Sequence, residues 1–161
     1  MEEKDTSTKA IKNRVRAYAD LLREIDNQKE RLDRHVASMG PASPNVTGMP
    51  HAKGGHHSKV ERDVEKKIEL EEQIAELVAE EREERKTLEH TIRRIKNPDE
   101  RAVLRMRYFD REEWQDITHS LFRKAKDYKR NFTNYQRKTY KIHGAALVSF
   151  SEALKTEGMN L

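Results

Sequence analysis

An uninterrupted heptad pattern near the N-terminus is the feature that most restricts the fold of this chain. Between residues 8 and 39, nine positions follow one another in alternating steps of four and three residues, and eight of the nine are apolar. Such spacing predicts a long helix whose apolar seam packs against another helix. The seam consists of Ile11, Val15, Tyr18, Leu22, Ile25, Lys29, Leu32, Val36 and Met39.

Lys29 is the polar exception within this seam. A polar group there either fixes the register or the oligomeric state of a coiled coil, or extends its ammonium group into solvent along its own aliphatic stem. We prefer the second interpretation.

Segment 40–58 ends the first helix. It holds four of the six glycines and three of the four prolines, so it cannot continue a helix. It is longer than most connections in compact domains, which predicts either a flexible segment or a binding loop. Three histidines crowd it, His51, His56 and His57, but no cysteine or carboxylate stands beside them. We therefore expect no metal site there and no cofactor.

A second helical pattern opens at Val60 and runs for roughly 36 residues, or about 54 Å. Two helices joined by a loop bury their apolar stripes by folding back as an antiparallel hairpin, by pairing with another subunit, or by both. We expect residues 1–96 to form such a coiled-coil hairpin and the chain to be a homo-oligomer, a dimer or larger. The apolar members of this pattern are Val60, Val64, Ile68, Leu70, Ile74, Leu77, Val78, Leu88, Ile92 and Ile95.

A boundary to a second region is predicted at Asn97. Asparagine as the capping residue, Pro98 at the first helical position and Glu100 at the third are typical of a helix start. The helix is expected to reach about Tyr108.

A further helix start is predicted at Asp110, with Glu113 three residues later as its capping-box partner. Phe109 and Trp114 stand where a hydrophobic staple would bring them together. Ile117 follows on the same face as Trp114.

A third capping box, Thr133 with Gln136, predicts a last helix that reaches Leu154. Three capped helices after a helical hairpin predict an all-α fold with a helix-turn-helix bundle in residues 97–155 and a tail at 156–161.

Composition limits the function classes. Only 34% of the residues are apolar and 39% are charged, which suits helices with wide solvated faces, and a large enzyme is not expected. There is no cysteine, so disulfides and thiolate zinc sites are excluded. No run of about eighteen apolar residues and no signal-like N-terminus is present, so we expect no membrane partner and a cytoplasmic location.

Positive charge is concentrated late in the chain. Residues 61–100 carry nine basic and fourteen acidic side chains, a net charge of −5, whereas residues 101–150 carry twelve basic and five acidic ones, a net charge of +7. This asymmetry indicates a C-terminal part that meets the phosphates of nucleic acid.

The candidate DNA contacts are the polar and basic residues of the last helix and of the turn before it. Near the start of the last helix, spacings of three, four and seven residues place Asn134, Arg137, Lys138 and Lys141 on one face. Arginine and asparagine can read base edges, whereas lysine more often meets phosphate. The turn adds candidates for the DNA backbone: Arg123, Lys124, Lys126, Lys129 and Arg130. The alternative is a solvated basic face without a partner.

For four other residues, a structural role is the alternative to a functional one. Arg105 and Arg107 are expected either to contact the DNA backbone or to pair with nearby carboxylates. His143 lacks an identifiable acid or nucleophile partner, so we expect a packed or capping histidine and no catalytic one. Gly144, with the two alanines after it, is expected to let its helix approach a neighbour closely.

Three segments of the C-terminal half carry a family resemblance. VLRMRYF at 103–109, WQDI at 114–117 and KTYKIHGAAL at 138–147 resemble the RinA/ArpU-type late transcriptional regulators of phages that infect Gram-positive bacteria. The C-terminal part of that family in turn resembles region 4 of sigma-70 factors. The resemblance covers about residues 98–150, and segment 43–50 is also similar. The stretch from Phe122 to Phe132 departs from sigma region 4 by lengthening the turn.

The resemblance implies a non-enzymatic activator of late or packaging genes that binds double-stranded promoter DNA in the cytoplasm of the bacterial host. Contact with the host RNA polymerase is a further implication. Two alternatives remain, a small-terminase-like DNA-packaging protein and a structural coiled-coil adaptor. The operator sequence, the sign of regulation, the oligomeric state and whether the coiled coil closes within or between chains stay open.

Overall fold

A computed structural model of the 161-residue chain describes residues 2–40, 58–156 and 158, with side chains from Thr8 onward. Every regular element in these residues is helical, so the prediction of an all-α chain is confirmed. The elements are α1 (Glu2–Met39), α2 (Lys59–Arg94), α3 (Pro98–Leu104) with a π-helical turn (Arg105–Phe109) directly after it, α4 (Trp114–Phe122) and α5 (Phe132–Thr156).

Parts of the predicted organisation lie outside the described residues. These are nearly all of the loop 40–58, including its three histidines and segment 43–50, and most of the tail 156–161. Among the helices that are described, none has a stretch long and apolar enough to cross a bilayer.

The two long helices have clear local signals where the loop joins them. Gly40 follows α1 with φ at 69°, the left-handed conformation that commonly ends a helix. At the start of α2, the backbone N–H of Glu61 donates to Ser58 Oγ (3.2 Å), and the backbone N–H of Ser58 donates to Glu61 Oε2 (2.9 Å). This reciprocal capping box begins α2 one residue before the first apolar position of its pattern.

The predicted helix start at Asn97 is confirmed. Its side-chain oxygen accepts a hydrogen bond from the backbone N–H of Asp99 (2.9 Å), and Pro98 occupies the first helical position. Glu100 Oε1 accepts a hydrogen bond from the side-chain amide of Asn97 (3.4 Å), so the asparagine cap forms without the two reciprocal bonds of the predicted capping box.

The predicted helix start at Asp110 is wrong. The π-helical turn continues α3 as far as Phe109, and the backbone N–H of Asp110 closes that turn by donating to the carbonyl of Arg105 (3.0 Å). Arg111 then takes a left-handed conformation with φ at 59°, which breaks the helical path. As a result α4 begins only at Trp114, after an extended Glu113.

The predicted staple between Phe109 and Trp114 is also wrong. Phe109 packs edge-on against Tyr18, with 5.6 Å between ring centroids, whereas Trp114 packs edge-on against Tyr140 at 5.0 Å. The two rings therefore pack against different residues.

The last helix begins one residue earlier than its predicted cap. α5 starts at Phe132, so Thr133 lies inside the first turn. The backbone N–H groups of Asn134 and Tyr135 both donate to the carbonyl of Asn131 (3.0 and 3.1 Å). Asn131 therefore accepts the first backbone hydrogen bonds of α5.

The contacts divide the chain into two compact units, residues 21–81 and residues 1–20 with 82–161. The sequence-based division at residue 97 stays a prediction about which parts fold independently.

The unit of residues 21–81 buries little apolar surface. Ile25 of α1 and Leu70 of α2 are buried, and His35 Nε2 hydrogen-bonds the backbone carbonyl of Asp63 (2.7 Å). Lys29 is exposed, as preferred from the sequence. The start of the predicted α2 stripe is exposed as well, at 70% for Val60, 42% for Val64 and 49% for Ile68.

The unit of residues 1–20 and 82–161 holds most of the core. The start of α1 contacts the end of α2 through an ion pair between Arg14 and Glu84 (2.9 Å). The buried apolar residues come from every helix of the unit: Ile11, Val15, Tyr18, Leu88, Ile92, Ile95, Val103, Leu104, Ile117, Ala146, Leu147, Phe150 and Leu154.

The expectation of a close helix approach at Gly144 is wrong. Gly144 and Ala145 are exposed, and a methyl group added at Gly144 would meet no atom within 4 Å. Only Ala146 of this small-residue run is buried. The first two residues lie on the solvent side of α5.

Neighbouring positions 147 and 148 test the orientation of α5. Leu147 is 1% exposed and Val148 is 39% exposed. We expect Leu147→Ala to lower the free energy of unfolding by about 2–5 kcal/mol, because it leaves a cavity in the core. Val148→Ala should change it by less than about 0.5 kcal/mol. Urea unfolding followed by circular dichroism measures both, and similar losses in the two variants would contradict this orientation.

Candidate nucleic-acid interface

A buried pair of threonines joins α4 to α5. The hydroxyl groups of Thr118 and Thr139 lie 3.0 Å apart in hydrogen-bond contact, and each also reaches the backbone carbonyl four residues earlier, at Trp114 and Tyr135. Both residues are fully buried. Because a hydrogen bond forms only within a narrow range of distances and angles, this contact favours one rotation and register of α5 against α4.

A second polar contact joins α5 to the π-helical turn. Tyr108 Oη lies 2.9 Å from His143 Nε2, and Trp114 packs edge-on against the imidazole with 4.9 Å between centroids. Burial, with smaller contributions from the charges of Arg107 and Lys12, lowers the pKa of His143 to about 4. The imidazole is therefore neutral near pH 7, and the expectation of a packed histidine is confirmed.

The two arginines of the π-helical turn are engaged within the protein. Arg105 donates from Nε to Glu89 Oε2 (3.1 Å) and from Nη2 to Glu89 Oε1 (2.7 Å). Its hydrogen bonds are the largest cause of a lowered pKa at Glu89. Arg107 lies over the Trp114 ring at 4.8 Å and donates to the carbonyl of Glu112 (3.0 Å). Of the two roles expected of Arg105, the structure shows the pairing with a carboxylate, that of Glu89.

The long turn 123–131 is bordered by aromatic contacts. Tyr128 of the turn packs against His119 of α4 (5.6 Å between centroids) and against Phe132 (5.8 Å) and Tyr135 (5.9 Å) of α5. Phe122, the last residue of α4, packs against Tyr135 at 4.9 Å. These ring contacts connect the lengthened turn to both flanking helices.

The four candidate residues of α5 meet in one cavity. It has a volume of about 390 Å³ and is lined by Asn134, Arg137, Lys138 and Lys141 together with three residues that the sequence reasoning missed, Asp127, Asn131 and Tyr135. All four predicted residues are exposed. The Lys138 ammonium lies 4.6 Å from the centroid of the Tyr135 ring.

Asp127 is held in place by two hydrogen bonds. The Tyr135 hydroxyl donates to Asp127 Oδ1 (2.6 Å), and the Asn131 side-chain amide donates to Asp127 Oδ2 (2.8 Å). Hydrogen bonding by Tyr135, followed by Asn131, lowers the pKa of Asp127. The carboxylate therefore stays ionised beside the cations of α5.

The five turn cations do not join this cavity. All of them are exposed, but none lines the cavity that the α5 residues form: Arg123, Lys124, Lys126, Lys129 and Arg130. The structure thus brings four of the nine predicted residues together and leaves the turn cations as separate surface charges.

Spacing in the sequence carried a signal for the missed residues. Asp127, Asn131 and Tyr135 follow one another at intervals of four residues, the spacing at which side chains meet on a helical turn. The backbone N–H of Asn131 donates to the carbonyl of Asp127 (3.0 Å), so the end of the turn is indeed locally helical. The predicted set was chosen for positive charge and base-reading side chains, so it omitted Asp127.

In a comparison with protein-family models, residues 42–138 match the family described as "Protein of unknown function (DUF1492)". The match covers more than half of the chain. The chain belongs to the DUF1492 family. The segment shared with this family includes α2 to α4 and the start of α5, with Asp127, Asn134 and Lys138 inside it. Comparison with curated proteins and comparison with solved structures each gave no match.

Because the half-buried imidazole of His143 is held neutral, the stability of the fold is expected to fall as the pH is lowered from 6.5 towards 4. In the unfolded chain the imidazole binds a proton near its ordinary pKa of 6.5, whereas the folded pKa is about 4. Between these values the unfolded state binds more protons, so the free energy of unfolding increases with pH. Of the side chains near the ring, Tyr108 and Trp114 are in contact with it, and the basic residues Arg107 and Lys12 disfavour its protonation.

Urea unfolding of the wild type and of His143→Gln at pH 7 and pH 5 measures this effect. Glutamine keeps hydrogen-bonding capacity toward Tyr108 but does not titrate. We expect the wild type to lose roughly 1–2 kcal/mol more than the variant over this interval, after allowance for the partial exposure of the ring. Equal losses in the two proteins would show that His143 is not held neutral by the fold.

Proposed function

We propose that this chain is a DNA-binding transcriptional regulator of the RinA/ArpU type, which contacts promoter DNA through a helix-turn-helix made of α4, the turn 123–131 and α5. The observation that carries the proposal is the shared exposed face of α5 on which Asn134, Arg137 and Lys141 lie. A helix that presents base-reading and phosphate-binding side chains on one face has the chemistry of a recognition helix.

The length of α5 suits this role. Its 25 residues extend over about 37 Å, and three of its four lysine and arginine residues occupy the N-terminal part. Recognition helices contact base edges with their N-terminal residues, while the remainder of the helix packs in the protein. The buried residues Leu147, Phe150 and Leu154 in the C-terminal half of α5 fit this division.

The cations of α5 are available to a ligand. Within the described part of the chain, Arg137 and Lys141 have neither a hydrogen-bond nor an ion-pair partner. A free guanidinium can contact guanine O6 and N7 together, and a free ammonium can bind phosphate. The exposed cations of the turn add sequence-independent attraction to the DNA backbone.

The biological setting of the proposal comes from the family resemblance of residues 98–150. It assigns the chain to the cytoplasm of a bacterial host, as an oligomeric activator of late phage genes with the host RNA polymerase as a second partner. Its supports are the segments at 103–109, 114–117 and 138–147.

A second candidate function is a structural adaptor that binds protein through its long helices. The exposed side chains of Val60, Val64 and Ile68 favour it, because they lie four residues apart on α2 and form an apolar stripe. The adaptor function predicts protein binding without a salt-dependent affinity for DNA.

Fluorescence anisotropy with duplexes that carry the late-promoter region of the phage genome encoding the chain tests the proposal. We expect Arg137→Ala to weaken binding about five- to a hundredfold, the range for loss of a bidentate base contact. Lys141→Ala should reduce the slope of log affinity against log salt by about one unit, as for loss of one phosphate contact. Arg62→Ala and Lys66→Ala remove exposed cations from α2 and serve as matched controls.

The outcomes separate the two candidates. Weaker binding in the α5 variants with unchanged binding in the α2 controls supports the regulator. Equal effects of all four substitutions would mean a diffuse electrostatic attraction and would remove α5 from the interface. A wild type without salt-dependent affinity for any duplex would contradict the regulator and favour the adaptor.

A further inference from the structure

The cavity of the candidate interface contains a negative charge that simple attraction to DNA does not need. Of the seven described residues that line it, three are cationic and one, Asp127, is acidic. A site built only to hold phosphate gains nothing from this carboxylate, because like charges a few ångströms apart repel. The carboxylate therefore favours a ligand that presents a group other than a phosphate oxygen at this place.

Hydrogen bonds hold the carboxylate in one orientation. Tyr135 donates to one of its oxygens and Asn131 to the other, at 2.6 and 2.8 Å. The Tyr135 ring lies in turn beneath the Lys138 ammonium. Asp127 is thus a fixed part of the cavity wall and not a side chain that swings away when a polyanion approaches.

Acceptor capacity remains on the carboxylate. Its two oxygens offer four lone-pair directions, and they receive side-chain hydrogen bonds from Tyr135 and Asn131 and one from the backbone N–H of Asp127 itself. The remaining directions suit a donor from a ligand. In the major groove the exocyclic amino groups of cytosine and adenine are donors, whereas phosphate oxygens only accept.

We propose that Asp127 makes this cavity a reader of base edges: its carboxylate accepts a hydrogen bond from the N4 amino group of a cytosine and disfavours phosphate in the same place. Cytosine is the base whose donor pairs with a single carboxylate, whereas adenine is better matched by the amide of asparagine or glutamine. The neighbouring Arg137 suits guanine, the base paired with that cytosine. The inference rests on the proposed function, since it assumes that α5 enters a major groove.

The test compares Asp127→Asn with wild type in selection from a pool of duplexes with a random central segment, followed by anisotropy on the selected duplex and on an unselected one. Asparagine keeps an oxygen for Tyr135 but replaces the charge and presents an amide donor. We expect the wild type to select a cytosine at one position and the variant to lose that preference by about fivefold or more. Affinity of the variant for the unselected duplex should rise about three- to tenfold at 0.1 M salt.

Two further variants separate the charge from its placement. Glu152→Gln removes one exposed negative charge from α5 outside the cavity, so its selectivity should match the wild type. Tyr135→Phe keeps the ring beneath Lys138 but removes the hydroxyl that orients Asp127. It should reduce the cytosine preference by a smaller factor than Asp127→Asn, without the gain in affinity for the unselected duplex.

The outcomes distinguish this inference from the proposed function. If the wild type binds no duplex, both fail. If it binds but Asp127→Asn keeps the same selected sequence and the same ratio of selected to unselected affinity, only the inference fails. Equal weakening of Asp127→Asn on both duplexes would also overturn it, because that result indicates a role in holding the turn.

Discussion

The rotation of α5 about its own axis is the constraint on which the rest of the structure depends. One side of this helix carries Leu147, Phe150 and Leu154 into the core, and the buried hydroxyl of Thr139 meets that of Thr118. Since successive residues of a helix are separated by a fixed angle, burying this side turns Arg137 and Lys141 toward solvent. The cationic cavity is therefore a geometric consequence of core packing.

Polar contacts inside the unit make that rotation specific. An apolar surface alone tolerates small rotations at low cost, whereas a hydrogen bond between two helices forms only within a narrow range of distances and angles. The Thr118–Thr139 pair and the Tyr108–His143 contact act at two points along α5. Together they hold α5 against α4 and against the π-helical turn, and they explain why a neutral histidine belongs in this packing.

Much of the helical organisation follows from periodicity and capping in the sequence, because these are local effects. The cap at Asn97 and the apolar seam of α1 as far as Ile25 were predictable in this way, but Val36 near the end of the predicted seam is exposed. The start of α4 was not predictable, because a π-helical turn and a left-handed Arg111 displace it from Asp110. The burial of the α2 stripe failed at Val60, Val64 and Ile68, since periodicity defines a face but not whether a neighbour covers it. Among the site residues, the shared face of Asn134, Arg137, Lys138 and Lys141 was predictable. Asp127 joins it through local hydrogen bonds from Asn131 and Tyr135, four and eight residues later, and a prediction based on positive charge and base-reading side chains omitted it.

Amide hydrogen exchange in the presence and absence of duplex DNA tests most directly whether the outward face of α5 is the interface. If that face is the interface, saturating duplex slows exchange in residues 123–141, where the turn and the start of α5 lie, and leaves exchange in residues 21–35 and 62–81 unchanged. Exchange slowed only in the long helices, or unchanged throughout α5 at saturating duplex, would contradict it.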